Sequence, residues 1–287
     1  MAADSHSDPM YASCDDAHAR EIEAGERFAF GRNWVRFLRH LDGPRIASAE
    51  QSLKDRLGIG DLIGKTFLDI GCGSGLFSLA ARRLGAQVTS FDYDPQSVAC
   101  VEHLRERFYP GDSHWMIQRG SVIDKNFLDS LGCFDVVYSW GVLHHTGELW
   151  TAVDNSMALT GPGGTLFLAL YNDQGLVSRY WMAVKRLYNR VPALRGPLVA
   201  LYAPYYIGLR WLVRLCSGRL KHERGMMLWY DLIDWLGGWP FEVATPSQVI
   251  EFAAARGFRP RQVKTVGRRQ GCNEFVLVRD RNGVDVG

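Results

Sequence analysis

The chain has 287 residues, of which 47% are hydrophobic and 12% aromatic, so it is long enough to bury a large apolar core. No stretch reaches the roughly 18 uninterrupted apolar residues of a membrane-spanning helix, and the start MAADSHSDPM lacks the basic and then apolar order of a secretory signal. A net charge of +2 argues against a strongly basic nucleic-acid-binding protein. We therefore expect a cytoplasmic globular protein of one or two domains.

The six cysteines stand at positions 14, 72, 100, 133, 216 and 272. They form no C-x-x-C pair and no Cys/His spacing typical of a zinc site. We interpret them as isolated, reduced thiols and expect neither a disulfide nor a metal site.

The chain before residue 65 divides into two parts. Residues 1–26 are polar, which predicts a mobile N-terminus. Residues 27–64 carry apolar side chains at helical spacing in RFAFGRNWVRFLRHL and again after the Gly43-Pro44 break. This spacing predicts two N-terminal helices.

From residue 65 onward, short apolar runs alternate with helical stretches. The predicted strands are 65–71, 86–92, 114–121, 134–140 and 164–171, and the predicted helices between them are 75–84, 95–108, 124–131 and 147–159. Because the strands are almost continuously apolar, both faces of their sheet should be covered by helices. The pattern predicts a doubly wound α/β core with a mostly parallel sheet.

The alternation stops after Tyr171 and resumes at Thr245, an N-cap residue that starts a capping box with Gln248. Two strands follow, 258–266 and 272–279, and their short GRRQG connection requires an antiparallel pair. The core is thus predicted as residues 65–172 and 245–280, with seven strands and a reversed C-terminal hairpin. Residues 173–244 are a helical insert after the fifth strand.

The stretch FLDIGCGSG, residues 67–75, ends the first strand with three glycines at alternate positions. Such a turn lets the backbone approach a ligand and presents a helix N-terminus to it. Asp92 ends the second strand, where a carboxylate can accept hydrogen bonds from both hydroxyls of a ribose. A nicotinamide-dependent oxidoreductase would require a third glycine at position 76, where Leu76 stands.

Five segments together resemble the motifs of class I S-adenosylmethionine-dependent methyltransferases. They are FLDIGCGSG, VTSFDYD, QRGSVID, FDVVYSWGVLHHT and LTGPGGTLFLALYN, which cover roughly residues 65–172. The VLHH sequence after the fourth strand is most similar to the ubiquinone-biosynthesis O-methyltransferase type. The resemblance implies an enzyme that uses S-adenosyl-L-methionine as its cofactor.

The resemblance also implies which residues bind the methyl donor. Those expected around its methionine part are Asp69, Gly71, Cys72, Gly73 and Gly75; those expected at the ribose, the adenine and the remaining wall are Asp92, Tyr93, Ser121, Val122, Ser139 and Trp140. Many relatives carry an acid where Ser121 stands. Either the serine hydroxyl or Asp124 replaces that acid, or apolar and backbone contacts hold the adenine.

His144 and His145 directly follow the fourth strand, at the edge of the sheet where ligands bind in this architecture. A histidine there can accept the proton that an acceptor hydroxyl or amine loses. We predict both as catalytic residues and favour His145; the alternative is that one of them only bonds the turn.

We place Trp34, Arg268 and Asn273 in the acceptor pocket, since the hairpin turn also falls at the binding edge. Arginines there would suit an anionic acceptor, but they could equally form a solvated basic turn.

The insert is basic: residues 176–227 hold ten Lys and Arg against Glu223 alone, a charge of +9 that leaves −7 for the rest of the chain. Three interpretations remain open: a lid over the acceptor, a surface that lies on anionic lipid, or a dimerisation patch. We expect a small or lipid-like acceptor, with peripheral membrane contact through the insert as an option and no nucleic-acid partner.

The predicted function is methyl transfer from S-adenosylmethionine to a small or amphipathic acceptor by in-line displacement, with oxygen as the favoured acceptor atom. The alternatives are N- or S-methylation of a small metabolite, RNA methylation that uses the basic insert, and a cofactor-binding regulator without activity. The sequence names neither the acceptor nor the oligomeric state.

Overall fold

The computed structural model of the protein describes residues 17–204, 228–267 and 269–281. Its centre is a seven-stranded sheet in the order β3-β2-β1-β4-β5-β7-β6. The strands are β1 Thr66–Ile70, β2 Gln87–Asp92, β3 Trp115–Arg119, β4 Phe134–Trp140, β5 Thr160–Tyr171, β6 Phe258–Lys264 and β7 Cys272–Arg279. The first five are parallel, and β7 runs antiparallel to both of its neighbours. The predicted doubly wound fold with a reversed hairpin is confirmed.

The helices follow the predicted alternation. They are α1 at 17–23, α2 Gly31–Leu38, α3 Gly43–Leu57, α4 Leu76–Arg83, α5 Pro95–Phe108, α6 Lys125–Asp129, α7 Leu149–Ala158, α8 Leu176–Arg190, α9 Arg195–Ala203, α10 Leu228–Gly237 and α11 Pro246–Ala254. The capping box predicted at Thr245 and Gln248 is present. In α5 the Asp94 carboxylate caps the helix by accepting a hydrogen bond from the Gln96 N–H.

Apolar side chains cover both faces of the sheet. On β1, Phe67 packs with Leu53 of α3 and Leu79 of α4, whereas the next residue, Leu68, packs with Val153 of α7 on the opposite face. Successive residues of a strand point to opposite faces, so a strand covered on both sides has to be apolar throughout. This burial leaves the two ends of the strands as the places where polar chemistry can be exposed.

The N-terminal region is more ordered than its composition predicts. Residues 17–23 form α1, and His18 is buried with its ring edge against Tyr93. The Arg27 guanidinium lies 4.8 Å above the same tyrosine ring. The expectation of a mobile segment through residue 26 is therefore wrong for residues 17–26, because side chains of the core bind them.

The described part of the insert packs at the carboxyl end of β5. Trp181, Val184 and Tyr188 of α8 form a small apolar cluster with Leu232 and Leu236 of α10. Among the described residues, no helix has the length and apolar character needed to cross a bilayer. The insert therefore sits beside the edge of the sheet where the predicted site lies.

Candidate functional site

The glycine turn leaves β1 at the centre of the sheet. Gly71 has φ +69°, and a Cβ placed there would lie 2.4 Å from Cγ1 of Val142, which is too close for any side chain. The Gly71 and Cys72 N–H groups both donate to the Phe91 carbonyl, at 2.9 and 3.1 Å. Two consequences follow: the turn is tied to β2, and the segment after β4 packs directly on it.

Asp92 stands beside this turn, as predicted. Its Oδ2 accepts a hydrogen bond from the Gly73 N–H and its Oδ1 one from the Asp94 N–H, both at 2.9 Å. Desolvation raises the pKa of Asp92 to about 6, against the opposing effect of these two bonds. An ionised carboxylate has four acceptor positions, so the two bonds leave two for a ligand's hydroxyl groups.

Asp69 lies deeper, at 3% exposure. The Ser78 hydroxyl donates to it at 2.5 Å, Ser90 donates to Ser78 at 2.9 Å, and the Trp115 indole donates to Ser90 at 3.0 Å. Desolvation raises the pKa of Asp69 to about 7, and the charge of Asp92 adds to this effect. The carboxyl is thus fixed in place but is only partly ionised near neutral pH.

Because Asp69 is only partly ionised near neutral pH, we predict that binding of the methyl donor depends on pH. A bound α-ammonium group favours the ionised form of Asp69, so binding should weaken as the pH falls below about 7, by at most about tenfold per pH unit. Isothermal titration with S-adenosylhomocysteine from pH 5.5 to 8.5 measures the dependence. The variant Asp69→Asn should bind weakly and with a flatter profile; equal slopes in the two proteins would contradict this prediction.

The predicted adenine contacts lie at the ends of β2 and β3. The Tyr93 ring stands between Arg27 and His18, and its hydroxyl donates to Glu21 at 3.3 Å. Val122 is buried, and the Ser121 hydroxyl accepts a hydrogen bond from the Ile123 N–H. These residues lie near Asp92 at the ends of β2 and β3.

Asp124, the alternative partner for the adenine, instead caps α6 by accepting a hydrogen bond from the Phe127 N–H. Its carboxylate therefore has a structural role in this conformation. Of the two residues predicted to replace the acid of the relatives, Ser121 is the one whose side chain does not cap α6.

Three further predicted donor-site residues, Cys72, Ser139 and Trp140, lie at the carboxyl ends of β1 and β4. Cys72 is buried, and desolvation raises the pKa of its thiol well above the ordinary value, so the thiol stays protonated. The Ser139 hydroxyl is also buried and donates to the Ile70 carbonyl at 3.3 Å, while Trp140 at the end of β4 is half-buried.

Trp34, predicted in the acceptor pocket, packs against the glycine turn. Its indole is next to Gly73, since a Cβ at that glycine would be 3.0 Å from Nε1 of Trp34. The backbone N–H of Gly31, at the start of α2, donates to the Asp94 carboxylate at 2.8 Å. Trp34 therefore lies beside the glycine turn, and its place in the acceptor pocket stays a prediction. The aromatic stretch FAFGRNW, which contains Trp34, is the sequence feature that could have indicated this contact.

The two histidines follow β4 in a 3₁₀ turn, Leu143–His145. His144 is fully buried; its Nδ1 accepts a hydrogen bond from the Tyr171 N–H, so its proton lies on Nε2, which has no partner among the described residues. His145 donates from Nδ1 to the Pro240 carbonyl at 2.6 Å, which leaves its lone pair on Nε2. The Nε2 atoms of the two rings therefore differ: that of His144 is a hydrogen-bond donor, and that of His145 is an acceptor.

Burial lowers the pKa of both histidines, that of His144 well below its ordinary value and that of His145 to about 3. The charge of Lys185 acts on both in the same direction, and that of Arg27 acts on His145. Both imidazoles are therefore neutral at physiological pH, so the Nε2 lone pair of His145 is unprotonated, but its low pKa makes it a weak base.

A small pocket, partly open to solvent, lies at the carboxyl end of β5. Its apolar walls are the rings of Tyr171, Trp181, Trp235 and Phe241. Asn172, Gln174, Ser178 and Gln270 supply its polar groups. The sequence pattern did not indicate these residues, because Trp235, Phe241 and Gln270 come to the end of β5 from distant parts of the chain.

Of the two predicted acceptor residues of the hairpin, Asn273 lies among the described residues, next to this pocket. Asn273 is buried; its Oδ1 accepts a hydrogen bond from the Val266 N–H and its Nδ2 donates to Oδ1 of Asn172. It thus orients Asn172, which does line the pocket. Arg268 lies outside the described residues.

Comparison with known proteins gives one family match: residues 68–168 fit the family described as "Methyltransferase domain". Among curated proteins, the ubiquinone biosynthesis O-methyltransferase of Xanthomonas campestris pv. campestris is 28% identical over 176 residues, which are 61% of this chain and 62% of that protein. The enzyme of that name from Methylobacterium sp. is 31% identical over 166 residues, 54% of this chain and 64% of that protein. The chain thus spans less than two thirds of these relatives.

Two solved structures share the fold. One is the magnesium protoporphyrin IX methyltransferase of Synechocystis PCC 6803 with bound S-adenosylhomocysteine, at TM-score 0.51 and 15% identity over 86% of this chain and 93% of that one. The other is an N-methyltransferase of Bradyrhizobium japonicum WM9, also with S-adenosylhomocysteine, at TM-score 0.50 and 16% identity over 88% and 98%. At these identities the likeness concerns the fold alone.

Proposed function

We propose that this chain, whose residues 68–168 form a methyltransferase domain, binds S-adenosylmethionine and transfers its methyl group to a small or amphipathic acceptor, at oxygen. One observation carries the proposal: the glycine turn, bonded to Asp92 through the Gly73 N–H, packs directly against the segment that leads to His145. This contact supports a donor site at the glycine turn with His145, the base that we propose, close to it.

The residues of the chain would divide the work as follows. S-adenosylmethionine supplies an electrophilic methyl group on a sulfonium. Asp92 would accept hydrogen bonds from the ribose hydroxyls, and the glycine turn with Asp69 would hold the methionine part. The acceptor oxygen forms the new C–O bond as the S–C bond breaks, so alignment and exclusion of water are the main tasks of the protein. Nε2 of His145 would accept the proton that the acceptor loses.

The choice of oxygen as the acceptor atom rests on the names of the relatives and on the hydrogen bonding of His145. The curated relatives are named O-methyltransferases, but one structural neighbour is an N-methyltransferase. In support of oxygen, a hydroxyl acceptor needs help to lose its proton, and the geometry offers a fixed imidazole lone pair.

Two measurements test the proposed function. Isothermal titration should show one site for S-adenosylhomocysteine and none for NADH, which would instead support an oxidoreductase. Incubation with S-adenosylmethionine and separate pools of metabolites, lipids and RNA, read by mass spectrometry, should then show a gain of one methyl group in a small or lipid-like molecule. Folded protein without affinity for the donor product would refute the proposal, and methylated RNA would replace its acceptor class.

We also propose that the insert contacts an anionic membrane surface. Large apolar side chains on α8 and α9 are exposed, with Leu176 at 79%, Tyr180 at 52% and Leu201 at 65%. Arg179 and Arg190 are exposed on the same helices. Exposed aromatic and aliphatic side chains among basic ones are typical of helices that lie in a lipid interface.

The membrane proposal predicts salt-sensitive co-sedimentation with vesicles of phosphatidylcholine and phosphatidylglycerol. The double variant Leu176→Ser/Leu201→Ser should lower the association constant for vesicles by about tenfold or more. Burial of one leucine side chain in the lipid interface contributes up to about 1.5–3 kcal/mol to the free energy of binding. Ile63→Ser is the matched control, since Ile63 is 74% exposed but precedes β1 at the opposite edge of the sheet. Equal binding by all three proteins would refute the contact.

A further inference from the structure

Lys185 of α8 is a buried cation whose position the spacing of apolar residues in its helix does not predict. The pattern of α8 places it beside an apolar face that includes Leu187 and Val191, yet both of these are exposed while Lys185 is fully buried. Residues 181, 184, 185 and 188 form the buried stripe of the helix. The stripe is thus rotated by about one residue from the predicted face, and it brings an ammonium group into an apolar cluster.

The Lys185 ammonium is surrounded by rings. It donates a hydrogen bond to the Trp235 carbonyl and lies 4.3 Å from the Trp235 ring, 4.9 Å from Phe241 and 5.9 Å from Tyr171. A buried cation is attracted to aromatic faces more strongly than an exposed one. All three rings also line the pocket at the carboxyl end of β5.

The same three rings lead to the histidine turn. The His144 ring lies 3.8 Å from the Tyr171 ring, and the Pro240 carbonyl that fixes His145 belongs to the residue just before Phe241. A change in the packing around the ammonium would therefore reach both the pocket wall and the turn that carries the histidines.

Several charged or titratable groups face this cluster. Asp234 of α10 attracts the ammonium, and it also accepts a hydrogen bond from the Asn33 amide of α2. His144 and His145 face it from the turn, and the Arg27 side chain bonds the His145 carbonyl. Cationic Lys185 and Arg27 both oppose protonation of His145, whereas Asp234 is the carboxylate that favours the ammonium.

We propose that Lys185 is a positioning residue for methyl transfer: its buried ammonium holds the pocket rings of Trp235, Phe241 and Tyr171 in place beside the histidine turn. This inference rests on the proposed function. Lys185 does not line the pocket, and it acts on the acceptor through the rings and through His145. Burial lowers the pKa of Lys185 itself to about 7, so its charge is present below that pH and partly lost above it.

The test compares Lys185→Met, which keeps the length of the side chain and removes the charge, with Lys185→Arg, which keeps the charge. Lys125→Met is the matched control, because Lys125 is exposed on α6. Two-dimensional ¹H–¹⁵N spectra of the histidine rings, assigned with His144→Gln and His145→Gln, are recorded between pH 4.5 and 8. Titration with S-adenosylhomocysteine is run on every protein.

In the wild-type protein and in Lys125→Met, both histidines should stay neutral down to pH 5. In Lys185→Met the pKa of His145 should rise by about one pH unit or more, and Lys185→Arg should restore most of the wild-type behaviour. Affinity for S-adenosylhomocysteine should be equal in all four proteins, because the ammonium faces the acceptor side.

Other results overturn the inference. An ordinary histidine pKa near 6.5 in the wild-type protein refutes it without any variant. The same histidine titration in Lys185→Met and in the wild-type protein refutes it as well. If the wild-type protein does not bind S-adenosylhomocysteine, the proposed function fails. This outcome is distinguished from failure of the inference about Lys185, since the histidine spectra are recorded without the donor.

Discussion

Replacing Asp92 with asparagine should weaken the binding of S-adenosylmethionine and S-adenosylhomocysteine by about 100-fold. In the unliganded protein, both carboxylate oxygens accept backbone N–H groups, from Gly73 and Asp94. An asparagine turns one of these oxygens into an NH₂ group that faces an N–H donor, and it removes the charge that would receive the ribose hydroxyls. Two hydrogen bonds to a charged group contribute about 3 kcal/mol together, which corresponds to that factor.

Isothermal titration measures this effect, with thermal unfolding as a check that the variant is folded. The control is Asp61→Asn: Asp61 is exposed before β1, at the opposite end of the strands, where its carboxylate only accepts the Ile63 N–H. The control should bind like the wild-type protein. A folded Asp92→Asn protein with unchanged affinity would show that the donor does not bind beside the glycine turn.

The sequence predicts most of the core because local signals agree with the tertiary structure there. The bounds of α5, 95–108, and of β4, 134–140, are those predicted, since a Pro at the first helical position and an unbroken apolar run are local features. The capping box at Thr245 is equally local. Where the position of an element depends only on its own residues and neighbours, the pattern is sufficient.

The parts that could not be predicted depend on contacts between distant residues. Trp34 is next to Gly73 because the start of α2 is bonded to Asp94, 63 positions along the chain. Lys185 is buried because α10 and Tyr171 supply aromatic rings around it. Spacing along one helix cannot show that a lysine will find such partners, so the helical pattern assigned it to the polar side.

The N-terminal segment also connects the two halves of the site. The start of α2 reaches the donor side through Gly31, and Asn33 in the same helix donates to Asp234 of α10 in the insert. Just before α2, the Phe28 N–H donates to the Trp239 carbonyl and the Phe30 ring lies 5.1 Å from the His145 ring. Residues 28–33 thus contact the donor side through Asp94, the histidine turn and the insert. Because one short segment makes all these contacts, the three parts of the site pack together as one unit.

Replacing His145 with asparagine should lower kcat for methyl transfer by about 100- to 1,000-fold and leave the affinity for S-adenosylhomocysteine unchanged. The asparagine amide nitrogen occupies nearly the place of Nδ1, so it can still donate to the Pro240 carbonyl. What the variant lacks is the Nε2 lone pair, which we propose receives the acceptor proton. Loss of a positioned general base costs about 10²- to 10⁴-fold in rate.

Two comparisons make the result specific. His144→Asn can still accept the Tyr171 N–H through its amide oxygen and should have a smaller effect, whereas His114→Asn changes an exposed histidine of the loop before β3 and should behave like the wild-type protein. Rates are measured with the acceptor that the mass-spectrometric screen identifies, from pH 5 to 9. The pKa of His145 near 3 means that this histidine is already neutral throughout that range, so no acid-side loss of rate should come from its protonation. A His145→Asn protein as fast as His114→Asn would exclude His145 as the base and leave proton removal to solvent.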